Sequence, residues 1–449
     1  MTLSDETKQI CEMLTSAVRP SSERKVGIEI ERIGLWPDGT PLSYSGGKDS
    51  QGRLRPGAEQ LLAKLSETYG WSTVKNAKGN LMGLEGDFGK VSLEPGSQVE
   101  LAARATSSLS EMKEMVDHFE DRVNTVTKNW GLRWICMGLN PLVDVDSVEV
   151  IPSPRYHIMT DYLGQRSSLG TRMMRLTSSV QVNLDYTSES EAIEMLRTAL
   201  AVAPISYALF ANSPVYQKQN SDFLSFRQEI WRNTDPDRCG LLPEAFEEGF
   251  NFQKYAEIAQ NTPLMFAQNT EGEYVPSLGK SLHEIAEGAL PGVEADAANL
   301  RNSIQQLFFE ARIKPGYIEV RSVDGQCPQE RYAATAFWYG LLYQPEARKT
   351  ALELLGGLTP EQRQELFLEC GKKGLLAEIH GINVRQVTQT LADLAQSCLA
   401  SHREEEARLM TPIFRMLKSG QNPAARRMER FYRSWDGSPE ALIEMAGHG

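Results

Sequence analysis

Glutamate, glutamine and asparagine recur at alternate positions in four stretches of this 449-residue chain. In Val26-Gly27-Ile28-Glu29-Ile30-Glu31, an extended backbone points Glu29 and Glu31 one way and Ile28 and Ile30 the other. Val180-Gln181-Val182-Asn183-Leu184-Asp185 sets Gln181 and Asn183 against Val180, Val182 and Leu184. Tyr317-Ile318-Glu319-Val320-Arg321 sets Glu319 and Arg321 against Ile318 and Val320. Gln98 and Glu100 alternate with Val99 and Leu101, and Glu94 stands just before them on a Pro-Gly bend. One such strand is what an antiparallel sheet with a solvated face produces. Four differ, because a solvated face mixes Lys, Thr and Arg with acids, and these positions are nearly all oxygen donors. Were the strands neighbours, Glu29, Glu31, Glu94, Glu100 and Glu319 would repel one another unless divalent cations neutralised them. Hard oxygen ligands without Cys or a convergent His set select Mg²⁺, with Mn²⁺ as the alternative, over zinc.

Mg²⁺ held by carboxylates commonly accompanies nucleotide phosphates, so cations for phosphate are the next requirement. The chain contains neither GxxxxGK[ST] nor GxGxxG, which removes the P-loop and dinucleotide-fold readings. The basic candidates are Arg312 and Lys314, for which surface ion pairs are the plainer reading, and Arg321, which shares a face with Glu319. Arg227 and Trp231 lie four residues apart, on one face of a helix. There the guanidinium clamps an anion while the indole packs its alkyl part; a surface cation–π pair is the ordinary alternative. The six histidines (His118, His157, His283, His380, His402 and His448) show no convergent pattern, and no general base is assigned.

Period-two alternation predicts strands at Lys25–Leu35, Lys90–Glu94, Gln98–Ala102, Arg133–Gly138, Val180–Tyr186 and Tyr317–Val323. Helical spacing appears in Thr2–Ala17, in Leu300, Ile304, Leu307, Phe308 and Ala311, and in Val384, Val387, Leu391, Leu394 and Cys398. Ser438-Pro439 reads as an N-cap followed by a first-turn proline. Pro37–Gly57, rich in Gly, Ser and Pro, is expected to be a long mobile loop of the kind that serves as a lid. Strands scattered among helices without βαβ spacing predict an α+β fold, with a catalytic region over 1–345 and a helical region over 346–449 packed on the same domain.

Net charge −12 argues against general affinity for nucleic acid or anionic membrane. Thr198–Ala211, the most apolar run, is too short for a membrane span and contains Pro204. The acidic start lacks the basic and apolar regions of a secretory signal, and six cysteines without CxxC spacing fit a reducing cytoplasm.

Seven segments in order carry a family likeness: GIEIER (27–32), SLEPGSQVEL (92–101), PRYHIM (154–159), VQVNLDY (180–186), FANSP (210–214), RQEIW…TDPDRCG (227–240) and YIEVRSVDG (317–325). Together with FWYGLLY (337–343) the set resembles the plant-type glutamate–cysteine ligases, over roughly Lys25 to Tyr343. The resemblance implies a glutamine-synthetase-like antiparallel sheet cupped over the active site, with helices outside. It implies ATP-dependent joining of the L-glutamate γ-carboxylate to the amine of L-cysteine through a γ-glutamyl phosphate, the first step of glutathione biosynthesis, by a cytoplasmic monomer or homodimer. Family metal ligands map onto Glu29, Glu31, Glu94, Glu100, Gln181 and Glu319. By the same likeness Arg227 and Trp231 hold glutamate, Arg321 and Arg312 face the transferred phosphate, and Arg155, Tyr156 and Asn183 lie near substrate. The remaining alternatives are a related carboxylate–amine ligase with another amine or acid, and the γ-glutamylcysteine-forming enzyme of an ergothioneine pathway. Met173–Ser179 departs from the family pattern, and Glu100–Glu120 lacks the plant regulatory cysteine, so that thiol switch is not expected.

Overall fold

The structure is a computed structural model that describes residues 4–447; Thr2, Leu3 and His448 lie outside them. Its centre is a nine-stranded antiparallel sheet. The strands are β1 (Val26–Leu35), β2 (Ser72–Lys75), β3 (Leu81–Gly86), β4 (Gly89–Leu93), β5 (Val99–Ala103), β6 (Arg133–Ile135), β7 (Ser179–Asp185), β8 (Ala311–Lys314) and β9 (Tyr317–Asp324). Their order is β8-β9-β7-β1-β5-β4-β3-β2, with β6 pairing on the far end of β1. Thus the four oxygen-rich segments are neighbours: β9, β7, β1 and β5 stand side by side.

Alternation built this sheet as expected. Ile28, Ile30, Val180, Val182, Leu184, Ile318 and Val320 are buried on one face, where they meet helices. The centre of that layer is α6 (Glu189–Phe210), which packs against β9 and β8. By length and composition α6 could cross a membrane, yet 89% of its apolar window is buried inside the protein, as in a core helix. Pro204 sits within α6 rather than ending it, at the cost of one backbone donor.

The region after Tyr343 packs on the same body. Val384–His402 forms a single helix against Pro328–Tyr343, and the last two helices, Pro423–Ser434 and Pro439–Ala446, cover the β1/β6 corner. Met428, Phe431, Leu442 and Ile443 close over Ile33, Leu35 and Ile135 there. Ser438 caps the final helix by accepting from the Ala441 amide, and Pro439 opens it.

Three expectations change. The helical stripe through Leu300–Ala311 stops early: the helix spans Ala297–Gln305, and Ala311 begins β8. An apolar residue every third or fourth position satisfies a helix and a following strand equally, so periodicity did not mark the switch. The C-terminal region is not wholly helical, since Glu378–Ile379 and Ile382–Asn383 make a short hairpin. Pro37–Gly57 is anchored rather than loose. It contains a small hairpin (Gly47–Lys48 with Leu54–Arg55), and Tyr44 Oη donates to Glu59 and to the Leu81 carbonyl. None of its residues reaches the cavity described next.

Candidate active site

A cavity of about 280 Å³ opens on the polar face of the sheet where β5, β1, β7 and β9 meet. Register places the donors in rows. Glu31 stands opposite Glu100, Glu29 opposite Gln181, and Asn183 opposite both Gly27 and Glu319. Glu94 joins them from the turn after β4, which Ser97 completes in the left-handed region (φ 65°). Gly27 contributes no side chain to its row; a Cβ there would lie 3.3 Å from Asn183 Cβ.

Glu29, Glu31, Glu94 and Glu100 all line this cavity. Their compensation is slight: Asn183 Nδ2 donates to Glu29 at 2.8 Å, Ser92 Oγ to Glu100 at 2.8 Å, Tyr156 Oη to Glu94 at 3.3 Å and Gln181 Nε2 to Glu31 at 3.4 Å. Burial, then mutual repulsion, therefore pushes the carboxyls up: Glu29 and Glu100 to about 8, Glu31 and Glu94 to about 7. Arg155 donates to Tyr156 Oη at 2.8 Å, and both line the cavity from the helix Pro154–Arg166.

The neighbouring edge of the sheet carries the cations. Arg312, directly opposite Glu319, grips it with Nε and Nη2 at 2.8 Å each. Arg321 Nη1 reaches Glu319 at 2.7 Å and Gln181 Oε1 at 2.7 Å, and Lys314 Nζ lies 3.9 Å from Glu319. Burial raises the Glu319 carboxyl, but Arg312, Lys314 and Arg321 outweigh it and hold the group well below the usual carboxylate range. The Arg321 guanidinium lies over two rings that meet edge-on, 5.1 Å from Trp231 and 5.7 Å from Phe308. Lys314 is driven down to about 8 by burial and by Arg312.

The geometry bears on three of the expected roles. Glu319, read as a metal ligand, has both oxygens engaged by arginine, because two-residue spacing puts Arg321 on its face and the β8 register puts Arg312 across from it. Arg227, read as a direct glutamate clamp, does not line the cavity. It is 2% exposed and donates to Tyr207 Oη and the Arg321 carbonyl at 3.1 Å each, with Asp324 3.7 Å away, so it braces β9 from behind. Asn183 does not line the cavity either; it stands on the same polar face and holds Glu29. Trp231 does face the cavity, and its buried indole N–H has no partner among the described residues.

Lys314 was the residue underrated in sequence: it lines the cavity instead of the surface. Met159, Met173, Met174, Phe266 and Phe308 form an apolar wall that no local motif announced. As they stand, no three carboxylate, imidazole or thiol side chains among the described residues form a closed metal cage. The donor chemistry nevertheless suits a hard divalent cation: four under-compensated carboxylates line one cavity.

Residues 25–445 match the model of a family described as Glutamate-cysteine ligase family 2. The chain is 30% identical over 438 residues to the chloroplastic glutamate–cysteine ligase of Nicotiana tabacum, covering 96% of this chain and 81% of that one. It is 29% identical over 435 residues to the chloroplastic glutamate–cysteine ligase of Arabidopsis thaliana, covering 96% and 81%. Among solved structures, a glutamate–cysteine ligase from Francisella tularensis in complex with AMP superimposes with TM-score 0.60 over 94% of this chain and 87% of that one. A bifunctional glutathione synthetase from Pasteurella multocida gives TM-score 0.51 over 98% and 53%. At 11% identity in each case, these two likenesses are of fold.

Proposed function

The chain belongs to glutamate–cysteine ligase family 2, and from that membership we infer that it joins L-glutamate to L-cysteine at the expense of ATP, in glutathione synthesis. The observation that carries the reading at this site is the contact, within one 280 Å³ cavity, of an under-compensated carboxylate wall and an arginine–lysine wall. A carboxylate does not condense with an amine in neutral water. An oxygen of the glutamate γ-carboxylate attacks the terminal phosphorus of ATP, and ADP departs. The cysteine nitrogen then attacks the acyl carbon, the bond to the phosphate oxygen breaks, and inorganic phosphate leaves with loss of a proton from the amine.

Both steps gather negative charge on transferring oxygens, and the chain's work is to hold that charge in place. Arg321 is fixed by two rings and by Gln181, so its free N–H groups are pre-aimed along the cavity. Arg312 and Lys314 extend the same cationic edge. The orphaned Trp231 N–H offers a donor to a substrate carboxylate, and the methionine and phenylalanine wall suits a small thiol side chain. We assign Mg²⁺ to Glu29, Glu31, Glu94 and Glu100 with Gln181 beside them; when bound it would neutralise phosphate charge.

The test is incubation with glutamate, ATP and Mg²⁺ plus each amino acid in turn, following phosphate and the dipeptide. Phosphate release that depends on cysteine, with γ-glutamylcysteine formed in equal amount, is expected. Release indifferent to cysteine, or faster with another amine, overturns the assignment.

A further inference from the structure

A second cavity, of about 430 Å³, lies beyond the end of β9 and shares no lining residue with the first. Its walls are Gln326 to Glu330, where the helix Pro328–Tyr343 begins, the helix Thr411–Ser419, and the helix Pro423–Ser434. In a chain of net charge −12, four guanidiniums line this one cavity (Arg415, Arg426, Arg427 and Arg430) against a single carboxylate, Glu330.

The four are not equivalent. Arg427, 8% exposed, is bound into the scaffold: it donates to Asn212 Oδ1 at 2.7 Å, to the Cys136 carbonyl at 2.9 Å and to the Met445 carbonyl. Arg426 pairs with Glu330 at 3.0 Å. The guanidiniums of Arg415 and Arg430 make no ion pair or hydrogen bond among the described residues. The helix from Pro328 opens with no side-chain cap, so the Gln329 and Glu330 amides add unclaimed donors on the same side. Gln326, 3% exposed and part of the lining, has an amide oxygen that accepts no bond.

We propose that this cavity binds a small molecule bearing at least two oxyanion groups, held by Arg415, Arg430 and the amides after Pro328, at a site separate from the catalytic one. Arginine pairs and helix N-termini are suited to such oxyanions in two-pronged fashion, and the volume is within the range of small-ligand sites. Both phosphate esters and polycarboxylates present this chemistry. The site would be felt at the active site through one short chain of bonds. Arg427 holds the Asn212 side chain, the Asn212 amide donates to Asp324 at 2.7 Å, and Asp324 ends the strand that carries Glu319 and Arg321.

The full-length protein is titrated calorimetrically, without divalent cations, with pyrophosphate in one arm and tricarballylate in the other. At least one should bind, the tighter arm naming the source of the oxyanions, and Arg415→Ala/Arg430→Ala should weaken that binding event at least tenfold. Hydrogen exchange on the unaltered protein should show added protection at residues 329 and 330. Because Arg415 and Arg430 are exposed, the double variant is expected to melt with the parent; Arg430→Gln serves if it does not. Superimposable titrations of parent and variant, or no protection at 329 and 330, overturn the proposal, as does silence in both arms.

Discussion

Two halves of one sheet face hold the same residue type in opposite states. On β1 and β5, four glutamates meet amides, hydroxyls and one another, and their carboxyls rise to about 7–8. Two strands away on β9, Glu319 is the more deeply buried, yet three cations hold it far below the usual range. Deeper burial alone would raise it further, so the difference lies in the cross-strand partner: Glu31 faces Glu100, while Glu319 faces Arg312. The second half has its cations in the chain, and the first has none paired with its carboxyls among the described residues. The ligation proposed above would use both, one to receive metal and nucleotide, the other to hold phosphate.

Substitutions should separate the halves. The largest effect is expected at Glu319→Gln, which leaves Arg312 and Arg321 without their counter-ion. Stability should fall by about 3–5 kcal/mol and cysteine-dependent phosphate release by at least ~100-fold, read by denaturant unfolding and turnover. Next is Arg321→Lys, which keeps charge but loses the planar fork over Trp231 and Phe308. We expect roughly a 100-fold loss of kcat with the melting temperature nearly kept; a loss confined to KM for glutamate would assign Arg321 to binding alone.

Glu100→Gln should act in the opposite sense on stability. Relieving repulsion in the first half is expected to stabilise the metal-free protein by about 1 kcal/mol while raising the Mg²⁺ concentration needed for activity. Destabilisation would erase the contrast with Glu319. The pH response follows from the same four carboxyls. Because their folded-state values lie above the ordinary one near 4.5, their contribution is full below that pH and is lost as pH rises through about 7 and 8. The metal-free melting temperature should therefore fall between pH 5 and 8.5, and added Mg²⁺ should raise it more at the upper end than at the lower. The smallest effect is expected at Asn183→Ala, about 1 kcal/mol, with a several-fold higher Mg²⁺ requirement once Glu29 loses its donor.

The alternation of β1, β5, β7 and β9 was legible because each strand buries one face and keeps the other polar, which period two records directly. The edge strand β2 was not, since Ser72–Lys75 is exposed throughout and leaves no contrast to read. β8 was hidden by its composition: Ala-Arg-Ile-Lys follows a helical stripe, and only its pairing with β9 makes Arg312 and Lys314 cavity residues. The glutamates of the site were found by spacing, but who pairs with whom is a register, and register was not in the sequence pattern. The withdrawal of Arg227 into the interior depends on Tyr207 and Asp324, twenty and ninety-seven positions away.

Between Val320 and Val323 the pairing of β9 with β7 slips, so that Arg321 and Ser322 together oppose the single residue Gln181. The extra residue resets the phase of the strand. Val320 and Val323 are both buried against α6 although three positions separate them, and Glu319–Arg321 and Asp324 can each meet their guanidinium partners. Paired in plain alternation without this extra residue's bulge, the same stretch would put Ser322 and Asp324 on the apolar face in place of Val323. The irregularity of β9 is therefore as much a part of the site as its charges.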